Sequence, residues 1–475
     1  MPEQTDPIQG RRGIRRQAAM FDDLLAPTRA RHDCFESLAT AVSHTPAPAP
    51  VRPPALAPVP APTSFTAVVE PNLRRLRAMV AVAECSSVSR AAERLHVTQS
   101  AVTRGVRALE DELGLTLFER SARGMNVTAC GQLLVDRARR AFSYIEGADR
   151  ELSLDRGDGA GLRALRGLSH KVAQRHLQAV SAIADHFTET ASALQLGISQ
   201  PAVTQGLRDL EDLVGVPLFM RTPKGMLPTR QGDIMIRGAK LALSEIAAAG
   251  DDLAGHLGQV RGRLTVGALP LSGTQIAPLV VSRVARSYPD LRLRIIEAQY
   301  DSLLQSLRCG DVDVIVGALL PVATADVAQQ RVFDDELSVV VRQGHPLMRK
   351  KTVTLQDLHD AEWVVPFRRT RSRNTVEKVM MAAGLPMPDD AIEANTVVTV
   401  RGLLMESNRV SVLSRRQIYY EEREGLLTVL PIKLQGARLP IGYMTRADAQ
   451  STVGMSALLK HLREVNPVLP HQLAA

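Results

Sequence analysis

Residues 71–131 and 172–232 of this 475-residue chain are two copies of one unit, aligned at a constant offset of 101 without a gap. About two dozen of the sixty-one pairs are identical, among them Gln99 and Gln200, Thr103 and Thr204, Glu110 and Glu211, Phe118 and Phe219, and Gly131 and Gly232. So long a period excludes a solenoid of short stacked repeats and predicts a small domain that occurs twice.

The pattern inside the unit specifies what that domain is. In the first copy Val102, Val106, Leu109 and Leu113 recur at helical spacing on one face, while Gln99, Ser100, Thr103, Arg104 and Arg107 face away. Thr98 stands where an N-cap belongs. The helix before it carries Ala91 and Ala92, small enough for a close crossing, and ends at Leu95. His96 and Val97 then form a short turn, so residues 88–107 read as a helix-turn-helix. Leu117 to Thr128, bending at Gly124, reads as a two-stranded wing. The second copy repeats the scheme over 189–208. Val203, Leu207, Leu210 and Val214 face inward, and Gln200, Pro201, Thr204, Gln205 and Arg208 outward. Pro201 falls in the first turn, where a missing N–H does no harm.

The outward residues suit a DNA major groove. Glutamine pairs bidentately with an adenine edge, arginine with guanine, and hydroxyls with phosphates or base edges. Arg123 and Lys224, at the wing bends, complete the candidate DNA-binding set. The alternative is a winged helix used for protein contacts, with its polar face merely solvated. Two gapless copies with matching outward sets weigh against it.

AAERLHVTQSAVTRGVRALEDELGLTLFERSARGMNVTACG closely resembles the amino-terminal domain of LysR-type transcriptional regulators, and ALQLGISQPAVTQGLRDLEDLVGVPLFMRTPKGMLPTRQG resembles it about as well. The resemblance implies that a linker helix and an effector domain follow. Family members usually carry one such domain, and this chain carries two.

Composition bounds the rest. No apolar run approaches the roughly 18 residues of a membrane helix, and the paired arginines near residues 11–16 lack the apolar segment an export signal needs. A cytoplasmic protein is expected. Cys34, Cys85, Cys130 and Cys309 are scattered without metal-ligand spacing, so neither a disulfide framework nor a metal or other cofactor is expected. The net charge of +8 is compatible with nucleic acid. Its distribution says more: the first copy holds nine Arg/Lys against six Asp/Glu, the second five against five. Phosphate attraction should favour the first copy.

Residues 1–70 read as a disordered Pro/Ala-rich extension, 132–171 as a helix and a joint, 233–259 as a linker or dimerisation helix, and 467–475 as a tail. In the linker, Ile236, Ala239, Leu243 and Ile246 suit packing on a partner helix or on the chain's own domain. From residue 260 to 466 strands and helices alternate. GRLTVGAL, LRLRIIEA and DVDVIVGAL read as strands separated by helices, a parallel βαβ series. A second series starts near ELSVVVRQGHP, runs through EWVVPF and two helices, and returns through LPIGYMTR to a closing helix. The expected fold is therefore multidomain: two α-rich winged helix-turn-helix domains, then a two-lobed α/β effector domain like the periplasmic binding proteins. The order of RLTVGAL, SYPDLRL, CGDVDVIVG, GHPL and EWVVP resembles the family's effector domain.

Ligands of open α/β sheets bind beyond the carboxyl ends of strands, near helix amino termini. That places candidate contacts at Ser272, Gly273 and Thr274 after the first strand, at Gly317 and Ala318 ending the third, and at Thr370 and Arg373 after EWVVP. Asn395 and Thr396 are weaker candidates. An arginine-rich loop at a helix start favours a small anion such as a carboxylate. Alternatively, Ser272 and Thr370 are only caps and the arginines an exposed basic loop. Arg373 matches the family's usual basic position. Cys309 has no second cysteine within residues 260–475, so an inert thiol is favoured over a redox sensor.

The reading is a sequence-specific DNA-binding regulator responsive to a small effector. The resemblance also implies homodimers or homotetramers and contact with RNA polymerase. Two rivals stand beside it: an architectural DNA binder with a ligand-free effector domain, and an α/β enzyme. No nucleophile elbow, Walker loop or His/carboxylate cluster supports the enzyme.

Overall fold

The computed structural model describes residues 71–121, 124–155, 167–319, 324–368 and 370–465. The Pro/Ala-rich extension, most of the joint between the copies and the tail lie outside the described residues.

The first copy contains α1 (Leu73–Cys85), α2 (Val88–Leu95), α3 (Gln99–Leu113), the hairpin β1 (Phe118–Ser121) and β2 (Gly124–Val127), and α4 (Ala129–Asp155). Polar caps start the first three helices: Asn72, Ser87 and Thr98 each accept a backbone N–H two or three residues on. Val102, Val106, Leu109 and Leu113 are buried as their spacing requires, in one apolar cluster with Leu76, Met79 and Val82 of α1.

The second copy begins with the short α5 (Leu168–Lys171). It continues through α6 (Gln174–His186), α7 (Glu189–Leu196), α8 (Gln200–Val214), β3 (Phe219–Thr222), β4 (Gly225–Pro228) and α9 (Arg230–His256). The repeated residues explain themselves here. Glu110 accepts from Leu117 N–H at 2.8 Å and Phe118 N–H at 3.2 Å, and Glu211 accepts from Leu218 N–H at 2.7 Å. Each glutamate thus ties its recognition helix to its wing. Gly124 and Gly225 have φ of 120° and 118°, and a Cβ there would lie 2.4 Å from the Ser86 carbonyl oxygen or 2.6 Å from that of Phe187. Only glycine lets the wing lie against the end of α1 or α6.

The linker helix packs on its own chain. α9 lies antiparallel along α4, and Ile236, Ala239 and Ile246 share one buried cluster with Leu134, Ala141 and Ile145.

The remaining elements form the effector domain. The first series is β5 (Gly262–Ala268), α10 (Pro270–Gly273), α11 (Ile276–Ser287), β6 (Leu291–Glu297), α12 (Tyr300–Cys309) and β7 (Val314–Ala318). β5 pairs in parallel with both β6 and β7, as the βαβ pattern requires. Then come β8 (Val327–Arg342), α13 (Leu355–His359), β9 (Val364–Val365), α14 (Arg371–Ala382), β10 (Ile392–Glu393), α15 (Val397–Met405) and β11 (Ser411–Ser414). The chain closes with α16 (Tyr419–Arg423), β12 (Leu427–Val429), β13 (Arg438–Arg446) and α17 (Val453–Arg463).

β8 starts well before the ELSVVV segment and runs for sixteen residues beside β13. One seven-stranded sheet results, in the order β11-β8-β13-β7-β5-β6 with β12 also on β8. The two lobes share it. The half of β13 after a register shift at Ile441/Gly442 pairs with β7 and the start of β8, and the other half lies on the middle of β8, whose end carries β11 and β12. A bulge at that shift is where the long strands can bend between lobes. The second series is antiparallel around β8, and EWVVPF contributes only two ladder residues, paired with β10. Trp363, fully buried, instead anchors that segment by donating its indole N–H to Leu358 O at 2.6 Å.

Candidate nucleic-acid interface and effector cleft

The helix-turn-helix places most of the expected reading residues in solvent. Gln99, Ser100, Arg104 and Arg107 are exposed on α3, as are Gln200, Pro201, Gln205 and Arg208 on α8, and Lys224 is exposed at the second wing tip. Arg123 lies outside the described residues. Thr103 and Thr204 are only half-exposed, and each donates its hydroxyl to the carbonyl one turn back, Gln99 O at 3.0 Å or Gln200 O at 3.1 Å. Each threonine is thereby left a hydroxyl oxygen that can still accept. The copies differ at the next position. Gln205 donates to Asp209 at 2.7 Å, and this bond, with Arg175 also on the carboxylate, holds Asp209 below the usual carboxylate range. Its counterpart Arg104 has Ala108 one turn on instead, and lines a cleft between the copies with Arg74, Arg94, Lys171 and Arg175.

In the effector domain the two lobes bring different chemistry together. On the first lobe Ser272 is fully buried, and its hydroxyl hydrogen is directed at the Val316 and Leu269 carbonyls, at 2.5 and 3.0 Å. The expectation of a ligand-facing hydroxyl at Ser272 is corrected: the group satisfies backbone carbonyls at a short helix. Gly317 leaves room for Leu269, whose side chain would meet a Cβ at 2.5 Å, and Ala318 is buried in β7. Gly273 lies against the Glu297 carboxylate. Thr274 is half-buried and accepts from Arg401 Nη2 of the second lobe at 3.4 Å.

On the second lobe Thr370 caps α14, accepting from Arg373 N–H at 3.4 Å and donating to Phe367 O at 2.9 Å. Its hydroxyl hydrogen is committed, in keeping with the cap alternative. Arg373 is 5% exposed and pairs through Nε with Glu377, while its Nη1 is buried with no hydrogen-bond partner among the described residues. Arg371, at the start of the same helix, likewise has a buried, unpartnered Nη1, and burial lowers its guanidinium's pKa. It acts electrostatically on Tyr300 at the start of α12, whose buried hydroxyl is also unpartnered. Unpartnered donors therefore occur on both lobes, Tyr300 on the first and Arg371 and Arg373 on the second.

Sequence reasoning missed Tyr300, Arg371 as a buried group, Arg401 and Arg416. Arg401 sits inside a helix rather than at its start and is held by Glu421. Arg416, buried, donates to Gln275 of the first lobe at 2.8 Å and lies 4.7 Å from the Phe333 ring centre. Only the crossing of the lobes makes these neighbours. Asn395 and Thr396 begin α15, where Thr396 serves as a cap.

The reading module meets the first lobe along α9. Arg137 of α4, 2% exposed, bonds Glu245 and Asp252 of α9, each at 2.7 Å, and donates to Gln450 O at 3.2 Å. Burial disfavours its charge, but the two carboxylates outweigh that and raise its pKa. Lys240 bonds Asp185 of the second copy and Asp311 of the lobe. Asp251 lies under Gly262, and burial pushes its carboxyl up to about 6. Burial also pushes the Cys309 thiol up, which disfavours the reactive thiolate. Among the described residues no cluster of metal-ligating side chains occurs and no helix is long and apolar enough to cross a membrane.

Two reading heads, a joining helix pair and a two-lobed cleft define a ligand-responsive DNA-binding regulator. The family model for the bacterial regulatory helix-turn-helix protein, lysR family, matches residues 73–132 and again 174–233, and that for the LysR substrate binding domain matches 257–467. The HTH-type transcriptional regulator GalR of Pseudomonas putida is 36% identical over 396 residues, covering 83% of this chain and 97% of that one. PcaQ of Agrobacterium fabrum is 28% identical over 298 residues, covering 62% of this chain and 96% of its own length. Full-length OxyR from Pseudomonas aeruginosa has the same fold, with a TM-score of 0.51 at 24% identity over 62% of this chain and 99% of that one. The chain belongs to the LysR family: it is a LysR-type transcriptional regulator with a duplicated DNA-reading domain.

Proposed function

We propose that this regulator reads DNA with Gln99, Ser100, Thr103, Arg104 and Arg107 in one copy and Gln200, Pro201, Thr204, Gln205 and Arg208 in the other, with Arg123 and Lys224 on flanking phosphates. Exposure of the side chains along α3 and α8 supports the assignment. Its effector is a small anion, most simply a carboxylate. The observation that carries this is the pair of buried guanidinium nitrogens on Arg371 and Arg373 that no protein acceptor satisfies among the described residues. Thr274 and Tyr300 supply the opposite wall, and Gly317 and Ala318 the floor. A ligand that touches both walls is held best when the lobes close, and this differential affinity shifts the regulator between states.

The protein acts in the cytoplasm, by binding rather than catalysis, as a homodimer or homotetramer that contacts RNA polymerase. A thermal-shift screen of small carboxylates against the full chain tests the effector class, since a ligand that prefers the folded state raises the melting temperature. Stabilisation by an anion that is lost in Arg373→Ala is the expected result. Stabilisation by uncharged molecules alone would exclude an anion site.

A further inference from the structure

We propose that α4 and α9 make one chain the equivalent of a dimer of reading domains, so that a single polypeptide engages two unlike half-sites of one operator.

The pairing is symmetric under exchange of the copies. At the offset of 101, Arg137 corresponds to Gly238 and Tyr144 to Glu245. Arg137 meets Glu245, and Gly238 lies against Tyr144 and Ala148, where a Cβ would come within 2.7 Å of Ala148 Cβ. These two contacts are images of one another about a pseudo-two-fold axis. Further contacts continue the antiparallel pairing, Arg237 with Glu151 and Gln231 with Asp155.

The chemistry at symmetric positions is not symmetric, and this selects unlike partners. Two α9 helices paired with each other would bury two Glu245 carboxylates opposite Gly238, with no guanidinium to compensate them. Two α4 helices would set each Arg137 opposite Tyr144 in place of Glu245. Only α4 against α9 joins Arg137 to both Glu245 and Asp252. Pairing within the chain is favoured because the second copy starts docked on the first. Arg77 of α1 donates to Ser169 O and Val172 O, Ser169 donates to Glu146 of α4 at 3.0 Å, and Leu168 N–H reaches Asp149 of α4 at 3.4 Å.

With both linker faces consumed inside one chain, further assembly must use the effector domain. The operator of one chain is then asymmetric, because its two reading faces differ at Ser100 versus Pro201 and Arg104 versus Gln205. This extends the proposed reading residues, but the pairing itself is tested without DNA.

Cysteines are placed at Glu151 and Arg237 in the full chain, either both on one chain or singly on two differently tagged chains expressed together. A short bis-maleimide is added and the joined peptides are identified by mass spectrometry. Asp155→Cys with Gln231→Cys is the second pair, should the first disturb folding. The expected result is a 151–237 crosslink within the double variant at monomer mass, and none between the co-expressed single variants. A crosslink between differently tagged chains would overturn the proposal. Counting chains on operator DNA by native mass spectrometry reads its second half: two half-sites per chain are expected, and one half-site per chain would contradict it.

Discussion

Ser272 of the first lobe and Arg373 of the second are both buried and differ in what their polar atoms have left to offer. The Ser272 hydroxyl is turned to two backbone carbonyls, whereas Arg373 keeps a buried nitrogen without an acceptor among the described residues. The Val316 and Leu269 carbonyls also accept backbone N–H groups, so Ser272→Ala should lower stability by only about 0.5–1.5 kcal/mol, the net worth of one hydrogen bond, and leave induction intact at permissive temperature. Arg373→Ala should abolish ligand-dependent transcription while specific operator binding persists. Thermal melts, operator binding and a reporter, measured side by side, separate the two. Full induction in Arg373→Ala would move the site elsewhere. Asp251 carries a pH prediction. Its folded pKa of about 6 lies above the ordinary value of 3.8, so the folded state holds the proton more tightly than the unfolded chain. The group costs stability as pH rises from about 4 through 6, and the cost is complete above that. Asp251→Asn should raise the melting temperature at pH 7.5, and the gain should vanish as pH falls to about 4. An equal gain at both pH values would refute the assignment.

Among the elements, the two copies share a fold but not a charge. Arg90 and Arg94 of the first copy correspond to Ala191 and Gln195 of the second. Because α4 and α9 bury one another's apolar faces, the copies are best compared inside the full chain. Replacing Arg90 and Arg94 with alanine should flatten the dependence of log affinity on log salt by about 0.9 for each phosphate that goes unneutralised. An unchanged slope would mean that neither residue reaches a phosphate. The recognition helices were legible because Val102, Val106, Leu109 and Leu113 display their burial as a period. The wings were legible through Gly124 and Gly225. Less legible was β11, whose four residues show no alternation because all four are buried. The start of β8 was missed because QQRVFDDE reads as polar, yet it crosses between the lobes with partners on β13. Helix starts pointed to Thr370 and Arg373 as candidates, but Arg401 and Arg416 come from later segments that only the folded chain brings to Thr274 and Gln275.

At the scale of the molecule, duplication gives α9 a partner helix, α4, within its own chain. Two reading heads and an amphipathic α9 were visible in the sequence. That the partner of α9 is α4 was not, because Arg137 lies more than a hundred residues before Glu245 and Asp252 and all three look like ordinary surface charges. Arg137 and, one turn on, Arg140 donate to the Gln450 and Asp448 carbonyls, which ties the reading heads to the first lobe. The measurement that bears most directly on a two-headed regulator is a footprint of the full chain on its operator. It is taken with wild type, with Gln99, Arg104 and Arg107 changed to alanine, and with Gln200, Gln205 and Arg208 changed to alanine. All six are exposed, so the fold should persist. Each triple variant is expected to lose protection of one half-site and keep the other, and different halves should be lost. Complete protection in either variant would show that one copy does not read DNA, and would contradict the two-headed assignment.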